Sequence, residues 1–101
     1  MSYAEYEMKV IQWGEKRGIV QHSTAQAQAM KTQEELDELI DALRIGSKAA
    51  IADAYGDILV TLIMGCAISD LNLVSCLEGA YEEIKNRKGM LNTDGLWVKE
   101  A

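Results

Sequence analysis

Apolar residues recur along this chain at intervals of three and four positions, the spacing that places side chains on one face of a helix. The clearest stripe lies in a helix predicted to run from a Ser23 cap to Gly46. Because the stripe covers only one face, we expect this helix to pack against others through it. Its members are Leu36, Leu39, Ile40 and Leu43.

Capping residues and the same periodicity predict three further helices. They run from about Tyr3 to Arg17, from a Ser47 cap to about Ser69, and from an Asn72 cap to Asn86 or Lys88. His22 is expected in an exposed turn before Ser23. The last helix carries a stripe that we expect to be buried, formed by Val74, Leu77, Tyr81 and Ile84.

After Gly89 the pattern changes to MetLeu, AsnThrAspGly and LeuTrpVal, which predicts a short β-hairpin or an extended tail around an Asp-Gly turn. The chain has 101 residues, no proline and 49% hydrophobic residues, which favours one all-α domain. We therefore predict a four-helix bundle over residues 1–101, helical over about 3–88 with a tail over 89–101. A chain this short encloses a pocket poorly, so we also expect a homodimer or homotetramer.

The net charge of -6 argues against a nucleic-acid polymer or an anionic membrane as the principal partner. The apolar run at 58–64 is too short to span a bilayer. Cys66 and Cys76 lie in apolar sequence without CxxC spacing, which is typical of reduced core residues. These features predict a soluble, cytoplasmic protein.

Acidic residues concentrate in two places. On the Ser23 helix, Glu38 lies three positions after Glu35 and four after Glu34, so each of these two pairs can bring oxygens to one ion beside the apolar stripe. On the next helix, Asp53 and Asp57 share a face within an apolar stretch. The neighbours of Asp57 on that face are Val60, Thr61 and Met64.

An ionised carboxylate at a buried position needs a cation or strong donors, so we expect a positive group against Asp57. Two helices joined by a short loop pack antiparallel, which brings the two acidic faces together. An all-oxygen ligand set suits a hard cation such as Mg²⁺, often completed by a substrate phosphate. Two simpler interpretations stay open: a solvated acidic face, and an ion pair of Asp57 with Lys or Arg across the bundle.

At these residues the sequence resembles the MazG-like family of all-α nucleoside triphosphate pyrophosphohydrolases. The family pattern is E-E-x-x-E on one helix followed by E-x-x-D on the next. Here the first part is Glu34-Glu35-Leu36-Asp37-Glu38 and the second is Ala54-Tyr55-Gly56-Asp57, and the resemblance extends to about Gly89. It implies Mg²⁺-dependent cleavage of a nucleoside triphosphate between the α and β phosphates.

The resemblance implies that Glu35, Glu38 and Asp57 are metal ligands, for Mg²⁺ or Mn²⁺ in its place. It makes Glu34 a further ligand or the base that orients the attacking water. The expected glutamate three residues before Asp57 is Ala54, whose methyl group cannot coordinate a metal. Asp53 is the candidate to replace it.

Several residues are candidates for substrate binding. The segment Lys85, Asn86, Arg87 and Lys88 could hold a triphosphate, or could complement the helix C-terminus. Lys31, one turn before Glu35, is a weaker phosphate candidate. Trp13 and Gln12 could form a base pocket, although tryptophan on a short helix is more often a core or subunit-interface residue.

Three functions compete at this stage. The leading hypothesis is a Mg²⁺-dependent pyrophosphohydrolase acting as a homo-oligomer. The second, favoured by Ala54, is a bundle that binds nucleotide or metal without turnover. The third is a structural oligomerisation module whose acidic residues form salt bridges.

Overall fold

The computed structural model describes residues 1–100, which fold into five helices followed by a two-stranded sheet. The mainly helical class predicted from the sequence is confirmed. The extra helix is a four-residue segment that contains His22, where a turn was predicted. The elements are α1 (Tyr3–Lys16), α2 (Ile19–His22), α3 (Ala25–Ile45), α4 (Lys48–Ile68), α5 (Leu73–Ile84), β1 (Gly89–Leu91) and β2 (Trp97–Lys99).

Most helix boundaries predicted from capping residues are confirmed. Ser47 and Asn72 cap α4 and α5 by accepting hydrogen bonds from backbone N–H groups of the first turn. Gly46 ends α3 in a left-handed conformation, with φ of 78°. The predicted start of α3 is wrong by one residue, because the hydroxyl of Thr24 caps it while Ser23 accepts a hydrogen bond from a side chain.

The helix α5 is shorter than predicted. It ends at Ile84, and the backbone N–H of Arg87 donates to the carbonyl of Ile84 in a turn that leads to β1. The expected end at Asn86 or Lys88 is therefore wrong, and these residues belong to the connection between α5 and the strands.

The two longest helices, α3 and α4, have 21 residues each and are joined only by Gly46 and Ser47. They pack along each other as an antiparallel pair, which is the most extensive packing in the chain. Helices α1, α2 and α5 pack on α4, and α1 also packs on α5. The buried apolar residues all lie on α3 and α4: Leu39, Ala42, Ala54, Ile63 and Met64.

A buried carboxylate ties α1 to α5. Glu7 on α1 is 2% exposed. Its oxygens accept hydrogen bonds from the backbone N–H groups of Leu73, at 2.6 Å, and Val74, at 3.1 Å. These are unpaired donors at the start of α5, where negative charge is also favoured by the helix dipole. Glu7 therefore serves as a cap supplied by a different helix.

Much of the apolar surface expected to be buried is exposed in the single chain. On α5, Leu77, Tyr81 and Ile84 are each more than half exposed, because only the first turns of this helix meet α1 and α4. On α3, Leu39 is buried but the flanking stripe residues Leu36, Ile40 and Leu43 are exposed. The prediction of a buried stripe is therefore wrong for these six residues within one chain.

The environment predicted for Asp57 is also wrong, because this residue is exposed. Ala54, Thr61 and Met64 lie on the same face of α4 and are buried, so the burial of this face is interrupted at Asp57. Of the two cysteines predicted in the core, Cys66 is half-buried and Cys76 is exposed, and both are free thiols.

Among residues 1–100, α4 is the one helix long and apolar enough to cross a membrane by length and composition. A core helix of a soluble protein meets the same criteria, and the other four helices of this chain all pack on α4. The cytoplasmic location stays a prediction.

The predicted hairpin is confirmed, with β1 and β2 antiparallel. Met90 pairs with Val98, and Leu91 pairs with Trp97. The amide oxygen of Asn92 accepts hydrogen bonds from two backbone N–H groups of the turn. Residues 89–99 are called the hairpin below.

Candidate metal site and adjoining cleft

Three predicted metal ligands meet at the contact between α3 and α4. Carboxylate oxygens of Glu35, Glu38 and Asp57 all lie within 4.8 Å of one another. Glu35 and Glu38 share a face of α3, and the antiparallel pairing places Asp57 of α4 opposite them. Separations of this size let three oxygens converge on one cation.

Glu35 is the buried member of this cluster, with 8% of its surface exposed. Its Oε2 atom is buried and has no hydrogen-bond partner among residues 1–100. The nearest cation is the Nζ atom of Lys31, 3.7 Å from Oε1, which is too long for a hydrogen bond. A buried carboxylate oxygen without a partner is costly, so this site favours an additional positive ligand.

The pKa shifts of the site residues also favour a bound cation. Burial raises the pKa of the Glu35 carboxyl above its ordinary value, and the adjacent Glu38 carboxyl raises it further. Lys31 opposes the rise, but its own pKa is raised mainly by a 3.0 Å hydrogen bond to Glu34. A divalent cation bound here would favour the ionised form of Glu35 and remove the repulsion from Glu38.

A cleft of about 520 Å³ adjoins the cluster. Four predicted site residues line it, namely Trp13, Lys31, Glu35 and Asp57, together with Val60, Thr61 and Met64, the predicted neighbours of Asp57. Sequence reasoning missed Ile19, Ala27 and Gln28, which also line it. Helical spacing could have indicated Ala27 and Gln28, which lie one turn before Lys31, whereas Ile19 is on the unpredicted helix α2.

Trp13 gives the cleft an aromatic lining residue. The guanidinium carbon of Arg17 lies 4.5 Å from the centroid of the indole ring, and Nη1 of Arg17 donates to the carbonyl of Trp13 at 3.2 Å. Arg17 thus covers one side of the ring. Trp13 itself is 42% exposed and is available for stacking.

Gln28 supplies a polar group to the lining of the same cleft. Its Nε2 atom donates to the hydroxyl of Ser23 at 3.1 Å, which fixes the position of the amide. Thr61 is less available, because its hydroxyl donates to the carbonyl of Ile58 and lies 2.7 Å from the hydroxyl of Thr32.

The remaining predicted residues lie outside the cluster or the cleft. Asp53 is exposed and does not join the three carboxylates, and Ala54 is 4% exposed in the core of the α3–α4 pair. Glu34 is exposed and pairs with Lys31. Gln12 is exposed on α1 and does not line the cleft. The segment Lys85, Asn86, Arg87 and Lys88 lies beyond α5, also outside the cleft.

Comparisons of the chain with protein-family models, with curated proteins and with solved structures find no match. The resemblance to the MazG-like family therefore stays an expectation carried by the motif residues.

Proposed function

We propose that the protein is a Mg²⁺-dependent nucleoside triphosphate pyrophosphohydrolase that releases the monophosphate and pyrophosphate. The observation that carries the proposal is the meeting of Glu35, Glu38 and Asp57 from two helices, with oxygens within 4.8 Å of one another. The unpartnered buried oxygen of Glu35 adds independent support, because it leaves one ligand position free in the core of the cluster. Such an enzyme would remove unwanted nucleoside triphosphates from the nucleotide pool.

The residues fit a hard cation, because the three converging side chains offer only carboxylate oxygens. Mg²⁺ is the expected ion, and Mn²⁺ is the expected substitute. When bound, such an ion polarises phosphate oxygens and lowers the pKa of a coordinated water.

Other residues in and beside the cleft would bind the phosphates, accept the proton of the attacking water and bind the base. Lys31 is the cation that lines the cleft, so a phosphate bound there competes with Glu34 for it. Loss of that hydrogen bond frees the Glu34 carboxylate to accept a proton from the attacking water. Trp13 offers an indole face to the base, and the amide of Gln28 can hydrogen-bond to its edge.

A triphosphate needs more cations than Lys31. The predicted phosphate ligands Lys85, Arg87 and Lys88 lie outside the cleft of their own chain, so we propose that they act across the interface of a homo-oligomer. Asn86 stays a predicted ligand of the triphosphate, and Gln12 stays a predicted ligand of the base.

A second candidate function is favoured by position 54. Ala54 is buried and offers no ligand, and the exposed Asp53 lies outside the cluster. A three-carboxylate site could therefore bind metal and nucleotide without turnover.

Pyrophosphate release from a panel of canonical and modified nucleoside triphosphates, with Mg²⁺, tests the proposal. Glu38→Gln removes one exposed ligand, and we expect activity to fall at least about 100-fold. Asp37→Asn is the matched control, because it removes the same charge from the adjacent exposed position outside the cluster. Calorimetric Mg²⁺ binding without pyrophosphate release would support the second candidate. Absence of both would leave a structural module.

Ala54→Glu tests the missing ligand. Because Ala54 is 4% exposed, its circular dichroism spectrum must first match that of the unchanged protein. A gain of activity in a folded variant would show that the lack of a fourth carboxylate limits the activity of the unchanged protein.

A further inference from the structure

The single chain exposes more surface than a compact monomer of its mass. Its accessible surface is 7798 Å², whereas a folded monomer of 11.2 kDa exposes about 5700 Å². Its Cα radius of gyration is 15.8 Å, against about 12.7 Å expected for this length. The excess of about 2100 Å² is larger than the roughly 800 Å² that each partner contributes to a standard interface.

Part of that surface is an apolar groove of about 490 Å³ between α1, α4 and α5. Its walls include Tyr6, Leu59, Ile63 and Leu77. The one carboxylate in its lining belongs to Glu7, and both of its oxygens already accept backbone hydrogen bonds from α5. The groove therefore offers no free charge to a phosphate or a metal, and it suits an apolar occupant.

The hairpin exposes apolar side chains of the kind that such a groove could cover. Neither of its three-residue strands packs against a helix within residues 1–100. The register places Leu91 and Trp97 on one face and Met90 and Val98 on the other, and all four are exposed. An isolated two-stranded hairpin is marginally stable in water, and one that is apolar on both faces needs cover on both.

The distribution of charge along the sequence favours a second copy of this chain as the partner that packs on the hairpin. Residues 1–84 hold six Lys and Arg against fourteen Asp and Glu. Residues 85–100 hold four Lys and Arg against two Asp and Glu. The segment that carries the hairpin is thus basic and the helical body is acidic, so the two attract each other between chains.

We propose that the hairpin of one copy docks in the α1–α4–α5 groove of a second copy. The groove contacts the first half of α5, through Leu73, Val74 and Leu77, whereas the hairpin follows the far end of that helix. The twelve residues of α5 span about 18 Å, which directs the hairpin away from its own groove. No groove residue belongs to the metal cluster, so the docking can be measured separately from the proposed hydrolysis, although the neighbouring Lys85, Arg87 and Lys88 are proposed to act across the same interface.

Sedimentation equilibrium of the full chain, with two variants, tests the docking. Leu77→Asp places a charge in the groove, and Trp97→Asp places one on the hairpin. Both side chains are more than half exposed in the single chain, so each variant is expected to fold. The unchanged protein should be dimeric or larger, and each variant should raise the dissociation constant at least about 100-fold. Ile45→Asp, at a position 79% exposed outside both surfaces, should leave it unchanged.

An equimolar mixture of the two variants gives the decisive result. The Trp97→Asp chain keeps an intact groove and the Leu77→Asp chain keeps an intact hairpin, so the mixture should regain one contact and form heterodimers. A wild-type chain that stays monomeric at its highest soluble concentration would overturn the proposal. So would an oligomer that only Ile45→Asp dissociates, a mixture that fails to associate, or a monomer that binds phosphatidylcholine vesicles through Trp97.

Discussion

At the scale of single residues, Glu35 is the side chain whose environment least suits its charge. It is buried, one of its oxygens has no partner, and its pKa is raised first by burial and then by Glu38. Because the folded chain holds the proton more tightly than the unfolded chain, protonation stabilises the fold. This stabilisation is complete below the ordinary value of 4.5 and is lost as the pH rises through the raised pKa.

We therefore predict that Glu35→Gln melts at a higher temperature than the unchanged protein at neutral pH in the presence of a chelator. The variant should also lose the rise in melting temperature that Mg²⁺ gives the unchanged protein, because a ligand is missing. Thermal melts over a pH series, with and without Mg²⁺, measure both effects. Asp37→Asn, which is exposed, should change neither. A Glu35→Gln chain that is less stable at neutral pH would show that the carboxylate has favourable partners.

At the scale of helices and turns, the contact between Glu7 and α5 joins parts of the chain that are more than sixty residues apart. Glu7→Gln keeps the shape of the side chain but removes the charge and one acceptor. We expect it to lower the free energy of unfolding by about 1.5–3 kcal/mol, the typical worth of a hydrogen bond to a charged group. Urea denaturation measures the change. Glu15→Gln, exposed on the same helix, should stay within about 0.5 kcal/mol of the unchanged protein.

The turn between α3 and α4 sets the antiparallel pairing that brings the carboxylates of Glu35, Glu38 and Asp57 together. Gly46 has a φ of 78°, so an added Cβ is strained there, although no atom lies within 4 Å. Gly46→Ala should therefore destabilise the fold by about 1 kcal/mol. Gly79→Ala is the matched control, because this helical position is equally open and alanine is the better helix former. Gly79→Ala should stabilise by about 0.5–1 kcal/mol, and equal effects at both positions would contradict the argument.

These elements show which features could be predicted from the sequence. The caps at Ser47 and Asn72 and the stop at Gly46 depend on residues within one turn, so local chemistry determined them. The convergence of Glu35, Glu38 and Asp57 followed from helical spacing and a two-residue loop.

Burial could not be predicted in the same way, because it depends on which partner meets each helix. The stretch around Asp57 is apolar on most sides, and periodicity alone could not tell an exposed apolar side from a covered one. For the same reason, the cap that Glu7 provides to α5 has no signal in the sequence, since its donors and acceptor are distant along the chain.

At the scale of the whole molecule, the core is small because much of the apolar surface is exposed. Within the described residues 1–100, five apolar residues are buried, whereas most of the hairpin and the α5 stripe are exposed. With so little interior, the chain would gain much of its stability from the docking that we propose between copies, and folding and association would then be coupled. We predict that a hundredfold dilution lowers the melting temperature by at least about 5 °C. Calorimetric scans across that range measure the shift, and Trp97→Asp should melt at a lower temperature that no longer depends on concentration. A melting temperature of the unchanged chain that stays constant on dilution would mean that the small core of one chain suffices for its stability.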